Sequence, residues 1–309
     1  MMIILVRIFR RLIRLLVTQR TSISAPEKLI RGLLLVPIFG TLLVLLRLRA
    51  MVFGPLRVNA ITADGHRFNC HLPDLIQMYL YLFGVWEPDV AACIRSRLKP
   101  GDVFVDVGAN IGFDTLIASR AVTETGRVVA IEASPSVFLR LLETLRINGH
   151  PSNVRTKNHA AAAERGELKI YSGPQHNVGL TTTVQREGMR LETSVPAAPL
   201  DELLTDEEIA RTRLIKIDVE GGEVAVLAGI RRLLADGRTD LELLIELSPN
   251  WWSDKFRRPL DVLQPFLDAG FHVFELPNNY WPWRYLWPND ITTQRVDRLD
   301  VLLSRSKST

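Results

Sequence analysis

Asp106, Asn110 and Glu132 are polar side chains set at the ends of apolar runs, with glycines at 108 and 112 between them. Residues 103–107 (VFVDV) and 127–131 (RVVAI) have the pattern of buried strands, and 113–121 that of a helix joining them, which makes one βαβ unit. Glycine permits a turn that a Cβ would block and lets a ligand approach the main chain where the helix begins. A carboxylate closing the second strand, Glu132, can accept hydrogen bonds from both hydroxyls of a ribose. The expected chemistry is a nucleoside held between the glycine turn and the acidic strand end. The run Gly108-Ala109-Asn110-Ile111-Gly112 lacks the third glycine of a dinucleotide fingerprint. A carboxylate at Asp106 would repel pyrophosphate but suits the ammonium end of a methionine moiety. S-adenosylmethionine (SAM) is therefore expected ahead of a dinucleotide, on Asp106, Gly108, Ala109, Asn110, Gly112 and Glu132. A βα turn without a ligand would explain the glycines but not the Asp and Asn.

A second group of carboxylates follows two later strands. Residues 214–217 deliver Asp218, Glu220 and, one helical turn on, Glu223, while 241–245 deliver Glu246. One of these can accept a proton from an acceptor hydroxyl, if it lies within reach and its pKa is raised. Two or three could instead hold a divalent cation through oxygen ligands. The competing reading makes Glu220 and Glu223 helix caps that complement a dipole, and for Glu223 it is preferred. Asp218 is the first candidate for catalysis, Glu246 the second and Glu220 the third, and Asp218 also counts as a cofactor contact. At the end of the strand 153–157, Asn158 offers an acceptor and a donor to an adenine edge.

The motifs VFVDVGANIG, VVAIEASP, LIKIDVEGGEVAVLAGIRRLL and LLIELSP, with FGVWEP upstream, resemble the successive core motifs of the FkbM family of SAM-dependent methyltransferases. The resemblance covers roughly residues 74–247. It implies a Rossmann-like class I methyltransferase sheet, α/β with helices on both faces, and O-methylation of a sugar, lipid-linked or natural-product acceptor. It also implies that Glu87 leans over the methionine end of the cofactor, although a helix cap just before Pro88 is an equal reading. Ser248 stands where relatives often carry a histidine, which tells against a histidine-dependent mechanism. The rivals are a non-catalytic SAM-binding membrane scaffold and another nucleotide-dependent enzyme on the same fold.

The elements that position these residues are read as a lead-in (51–100), a methyltransferase domain (101–305) and a tail (306–309), behind a membrane-associating segment (1–50). The chain has 309 residues, 47% of them hydrophobic, enough for a sizeable core, and a formal charge of +4. Residues 1–50 carry nine Lys/Arg against one acid, so the remainder is net acidic and gives no compositional sign of nucleic-acid binding. Two cysteines make neither a disulfide framework nor a metal site.

Arg7, Arg10, Arg11 and Arg14 share one face of an otherwise apolar helix, suited to the headgroup plane of an anionic leaflet. Packing of that helix on the protein's own body is the alternative. The fifteen uncharged residues between Arg31 and Arg47 fall short of a span and contain Pro37 and Gly40. They are expected to form a shallow hairpin turning near Pro37 to Gly40, a monotopic anchor on the cytoplasmic face. The aromatic loop 278–290 is read as a sugar platform, a membrane-interface girdle or satellite core.

Overall fold

The computed structural model describes residues 2–17, 24–173, 180–235, 238–252, 258–276, 282–285 and 300–306. Its helices are α1 (Met2–Leu16), α2 (Ala25–Phe53), α3 (Leu75–Phe83), α4 (Pro88–Arg97), α5 (Phe113–Val122), α6 (Pro135–Ile147), α7 (Leu200–Leu203), α8 (Asp206–Arg211), α9 (Glu223–Ala228), α10 (Arg231–Ala235) and α11 (Pro259–Asp268). The chain divides into two compact units, one drawn mainly from Met1–Ala92 with Asn278–Ile291, the other from most of the remainder.

The second unit is built on a seven-stranded sheet. Its strands, numbered within this sheet, are β1 (Val103–Val107), β2 (Arg127–Ile131), β3 (Val154–Lys157), β4 (Thr212–Ile217), β5 (Glu242–Glu246), β6 (His272–Glu275) and β7 (Asp300–Ser304). The spatial order is β3-β2-β1-β4-β5-β7-β6. Strands β1 to β5 pair in parallel, and β7 runs antiparallel to both β5 and β6. This is the class I methyltransferase sheet, with its order reversing between β1 and β4, where open α/β sheets bind ligands at the strand carboxyl ends. All five residues of β1 are buried, as expected of a central strand covered on both faces. A smaller four-stranded sheet, with strands in the order Ala160–Ala161, Arg190–Ala198, Gly166–Ser172 and Thr181–Thr182, belongs to the same unit.

In the first unit, Leu56–Ile61 and Arg67–Leu72 form the expected antiparallel hairpin. Asp74 caps α3 by accepting from the Gln77 N–H at 3.2 Å. The hairpin expected at Pro37 to Gly40 does not form, because α2 is one continuous helix of 29 residues. Pro37 removes one intrahelical bond and Gly40 adds entropy, costs of about 3 and about 1 kcal/mol, and several helical turns on either side outweigh them. Helix α1 buries Val6 and Ile13 and turns part of its basic face onto α3. The Arg10 guanidinium lies 4.4 Å over the Tyr81 ring, and Arg14 Nε donates to the Leu82 carbonyl, one of those a helix end leaves without an intrahelical partner. The reading of α1 as packed on the protein's own body thus holds for Arg10 and Arg14. Its Ile3, Ile4, Ile8, Leu12 and Leu15 remain exposed. Of the aromatic loop, the tryptophans at 281 and 287 and the side chain of Trp283 lie outside the described residues. Tyr285 is buried against Tyr79 and Phe83, as satellite core.

Candidate active site

Strands β1 and β4 place Asp106 and Lys216 side by side in register, on one face of the sheet. The first turn of α5 adds Asp114 and Thr115. Lys216 Nζ lies 2.8 Å from Asp218 Oδ2 and 3.3 Å from Asp114 Oδ2, while the Thr115 hydroxyl donates to Asp106 Oδ2 at 2.6 Å. Two carboxylates thus share one ammonium, with Asp106 buried in the same cluster, and two oxygens, Asp106 Oδ1 and Asp114 Oδ1, have no hydrogen-bond partner among the described residues. Burial pushes Asp106 up to about 6; Asp114 and Asp218 add to the rise, and Lys216 and Thr115 oppose it. Asp114 is raised too, again by burial first, with Lys216 and Arg95 opposing.

Gly108 is required by the protein itself. At φ +85°, a Cβ there would stand 1.8 Å from the Asp218 carbonyl oxygen, where the chain leaves β4. Gly112, at φ +89°, would likewise drive a Cβ to 2.6 Å from Leu141 of α6. The two glycines were expected to admit a ligand; in the structure their missing side chains make room for the neighbouring strand and helix. Ala109 is buried, and its N–H, like that of Gly108, donates to the Ile131 carbonyl. Asn110 adopts φ +50°, a conformation that Asn tolerates better than most residues, and aims its N–H at Glu132 Oε2, 2.9 Å away.

Glu132 accepts that bond and a second from the Ser134 N–H to Oε1, also at 2.9 Å. Each oxygen keeps a further lone pair, so capacity for ribose hydroxyls survives. Burial pushes this carboxyl up to about 7 against those two bonds. Asn158 needs a correction. Its Nδ2 donates to the carbonyls of Glu132 and Ala133, at 2.8 and 3.0 Å, so both amide hydrogens are occupied. Only Oδ1 is left for an adenine, as an acceptor from the amino group, and the donor role expected for it falls away.

Glu220 sits just beyond β4 at φ +40°, in the left-handed region, a conformation that costs on the order of 1–3 kcal/mol for a residue other than glycine. The surroundings hold it there. Thr182 Oγ1 donates to its carbonyl at 2.6 Å, and Ser248 Oγ lies 3.4 Å from its Oε2. Burial, then the Asp218 and Glu223 carboxylates, raise its pKa to about 7. Glu223 has a structural part: its two oxygens accept from the Gly221 N–H and from Trp252 Nε1, at 2.9 and 2.8 Å. Glu246 ends β5, half-buried and in register with Asp300. Glu87 lies in the first unit, buried, at φ +41°, with its N–H donated to the Tyr285 hydroxyl at 3.2 Å.

Sequence reasoning passed over Lys216, Asp114 and Thr115. A lysine interrupting an otherwise apolar strand was the available signal for the first.

Compared with known proteins, residues 106–273, more than half of the chain, match the methyltransferase FkbM domain. The chain belongs to the FkbM methyltransferase family. Among its relatives, hexuronic acid methyltransferase AglP of Haloferax volcanii is 30% identical over 148 residues, 48% of this chain and 58% of that protein. Methyltransferase sdnD of Sordaria araneosa is 25% identical over 163 residues, covering 44% of this chain and 62% of that one. The chain thus spans about three fifths of the length of these curated relatives. A solved FkbM methyltransferase from Methylobacillus flagellatus superimposes with a TM-score of 0.41 at 17% identity, over 75% of this chain and 55% of that one. In this FkbM domain the buried acidic excess around Asp106 fits a cofactor that carries both a sulfonium and an ammonium, since a lone-pair oxygen with no partner is costly unless a cationic donor meets it.

Proposed function

We propose that this chain is a SAM-dependent O-methyltransferase acting on a hydroxyl of a glycan, lipid-linked or small natural-product acceptor at a membrane surface. The observation that carries the cofactor reading is Asp106 Oδ1, fully buried and without a partner among the described residues, at the end of a strand whose neighbour ends on Glu132. Asp106 would hold the ammonium, Glu132 the ribose hydroxyls and Asn158 Oδ1 the adenine amino group. SAM, when bound, supplies a methyl group already activated by positive sulfur.

The protein's remaining tasks are positioning, exclusion of water and removal of one proton. Glu220 is the best-suited base of the three candidates, because a carboxylate raised to about 7 can take a proton from a hydroxyl near neutral pH. Ser248, in the position where relatives often have histidine, orients it. Asp218 Oδ2 is engaged by Lys216, which leaves Asp218 better suited to orientation than to proton transfer. The name of the relative AglP supports a saccharide acceptor.

Membrane association rests on the first unit. At 1.5 Å per residue α2 is roughly 43 Å long, beyond the ~30 Å hydrocarbon core. Only 22% of its most apolar stretch is buried, which argues against a core helix. Exposed Leu33, Val36, Val44 and Leu48 continue the apolar surface that α1 begins. Incubation of the purified chain with methyl-labelled SAM and fractionated native glycans and lipids tests the reading. Label is expected in a base-stable ether on one fraction; SAM binding without transfer to any fraction would overturn the enzymatic assignment.

A further inference from the structure

Arg186 is held as few surface arginines are, on a segment bonded to the backbone of Glu220. Its guanidinium lies 4.4 Å over the Trp251 ring, and one terminal nitrogen donates to the Asn250 carbonyl. Its other donors have no partner among the described residues. The backbone that carries this ring is closely packed in turn. Gly221 adopts φ +93°, and a Cβ there would meet Trp251 Cβ at 2.7 Å and the Trp251 carbonyl at 3.0 Å, so the segment 249–252 lies tight against the residue following Glu220. On the other side Thr182, four residues before Arg186, bonds the Glu220 carbonyl. Two separate segments therefore bring a braced cation to the stretch of chain that carries Glu220.

A planar fork, immobilised by stacking and by one backbone bond, keeps its remaining N–H groups ready for a two-oxygen anion at little entropic cost. An anionic acceptor would be repelled by Asp218, Glu220 and Glu223 unless a cation met it. Arg186 supplies that cation, whereas the bland role of a loop latch needs only the single bond to Asn250.

We propose that Arg186 is an acceptor-docking residue, selecting a saccharide that carries an oxyanion, carboxylate or phosphate, next to the hydroxyl presented to Glu220. This rests on the methyltransferase reading given above. Ligand-observed NMR on the full chain with bound SAM tests it using three probes: methyl β-glucopyranosiduronate, methyl β-glucopyranoside 6-phosphate and neutral methyl β-glucopyranoside. One or both anions are expected to bind roughly 10- to 100-fold more tightly than the neutral glycoside, and whichever does so identifies the oxyanion. R186M should erase the preference, R186K should keep part of it, and SAM affinity should stay as in the wild type. Equal binding of all three probes, binding of none, or a preference that survives R186M would overturn the proposal. Failure of the wild type to bind SAM would instead remove the cofactor reading beneath it, so the two failures are distinguishable.

Discussion

In the proposed cofactor site, Glu132 and Asp106 would favour ligand binding at the expense of the free fold. An acid whose folded pKa is raised holds its proton more tightly folded than unfolded, so its contribution to stability is full below the unfolded value and lost as pH rises through the folded one. For Glu132 that window runs from 4.5 to about 7, and for Asp106 from 3.8 to about 6. E132Q and D106N should therefore melt higher than wild type at pH 8 without cofactor, while binding SAM at least roughly 100-fold more weakly by calorimetry, since each deletes a charge-assisted contact. Variants that bind SAM as tightly as wild type would sink the cofactor assignment. E220Q, by contrast, should retain SAM affinity and lose roughly 100-fold or more in kcat, and the acid limb of the wild-type pH–rate profile should fall near 7. G108A is expected to fail as a fold, because the displaced atom is the Asp218 backbone carbonyl and not a mobile side chain. Its soluble yield and melting temperature would show this, and no gain from added SAM should restore it.

Among the elements, α2 departs furthest from expectation. Pro37 and Gly40 were read as a turn, but a long apolar helix tolerates one missing bond when the turns around it stay paired. Lysine substitutions at Leu33, Val36 and Val44, all exposed, should release the full chain from liposomes in a flotation assay and leave its melting temperature within a few degrees. A triple variant that still floats would show that α2 does not insert. The four-stranded side sheet also matters at this scale. Glu192, in its strand Arg190–Ala198, accepts from the Ser134 hydroxyl at 2.7 Å and the Ser136 N–H at 2.9 Å, tying that sheet to the start of α6 just after Glu132. Those bonds hold Glu192 below the usual carboxylate range against its burial.

For the molecule as a whole, the proposed role of the buried acids would link cofactor binding to protons. At pH 6 Asp106 and Glu132 are partly or largely protonated without ligand; an ammonium beside Asp106 and hydroxyl donors on Glu132 would favour their ionised forms, so binding should release protons. The rise in melting temperature caused by SAM is expected to grow between pH 6 and pH 8, and calorimetry in buffers of different ionisation enthalpy should count the protons released. A SAM-induced shift that is flat across this range would contradict the linkage.

The sequence by itself determined the βαβ unit at 103–131, the carboxylates closing its strands and the family, because strand alternation, glycine turns and strand-end acids are local patterns. The boundaries of β1 and β2 followed from those patterns alone. Only tertiary structure decided why Gly108 must be glycine, why both amide hydrogens of Asn158 are occupied, and that Lys216, Asp114 and Thr115 cluster with Asp106. Each of these depends on a contact between segments far apart in the chain: the Asp218 carbonyl against residue 108, the 132–133 carbonyls against residue 158, and β4 beside β1 in a register that no single stretch encodes.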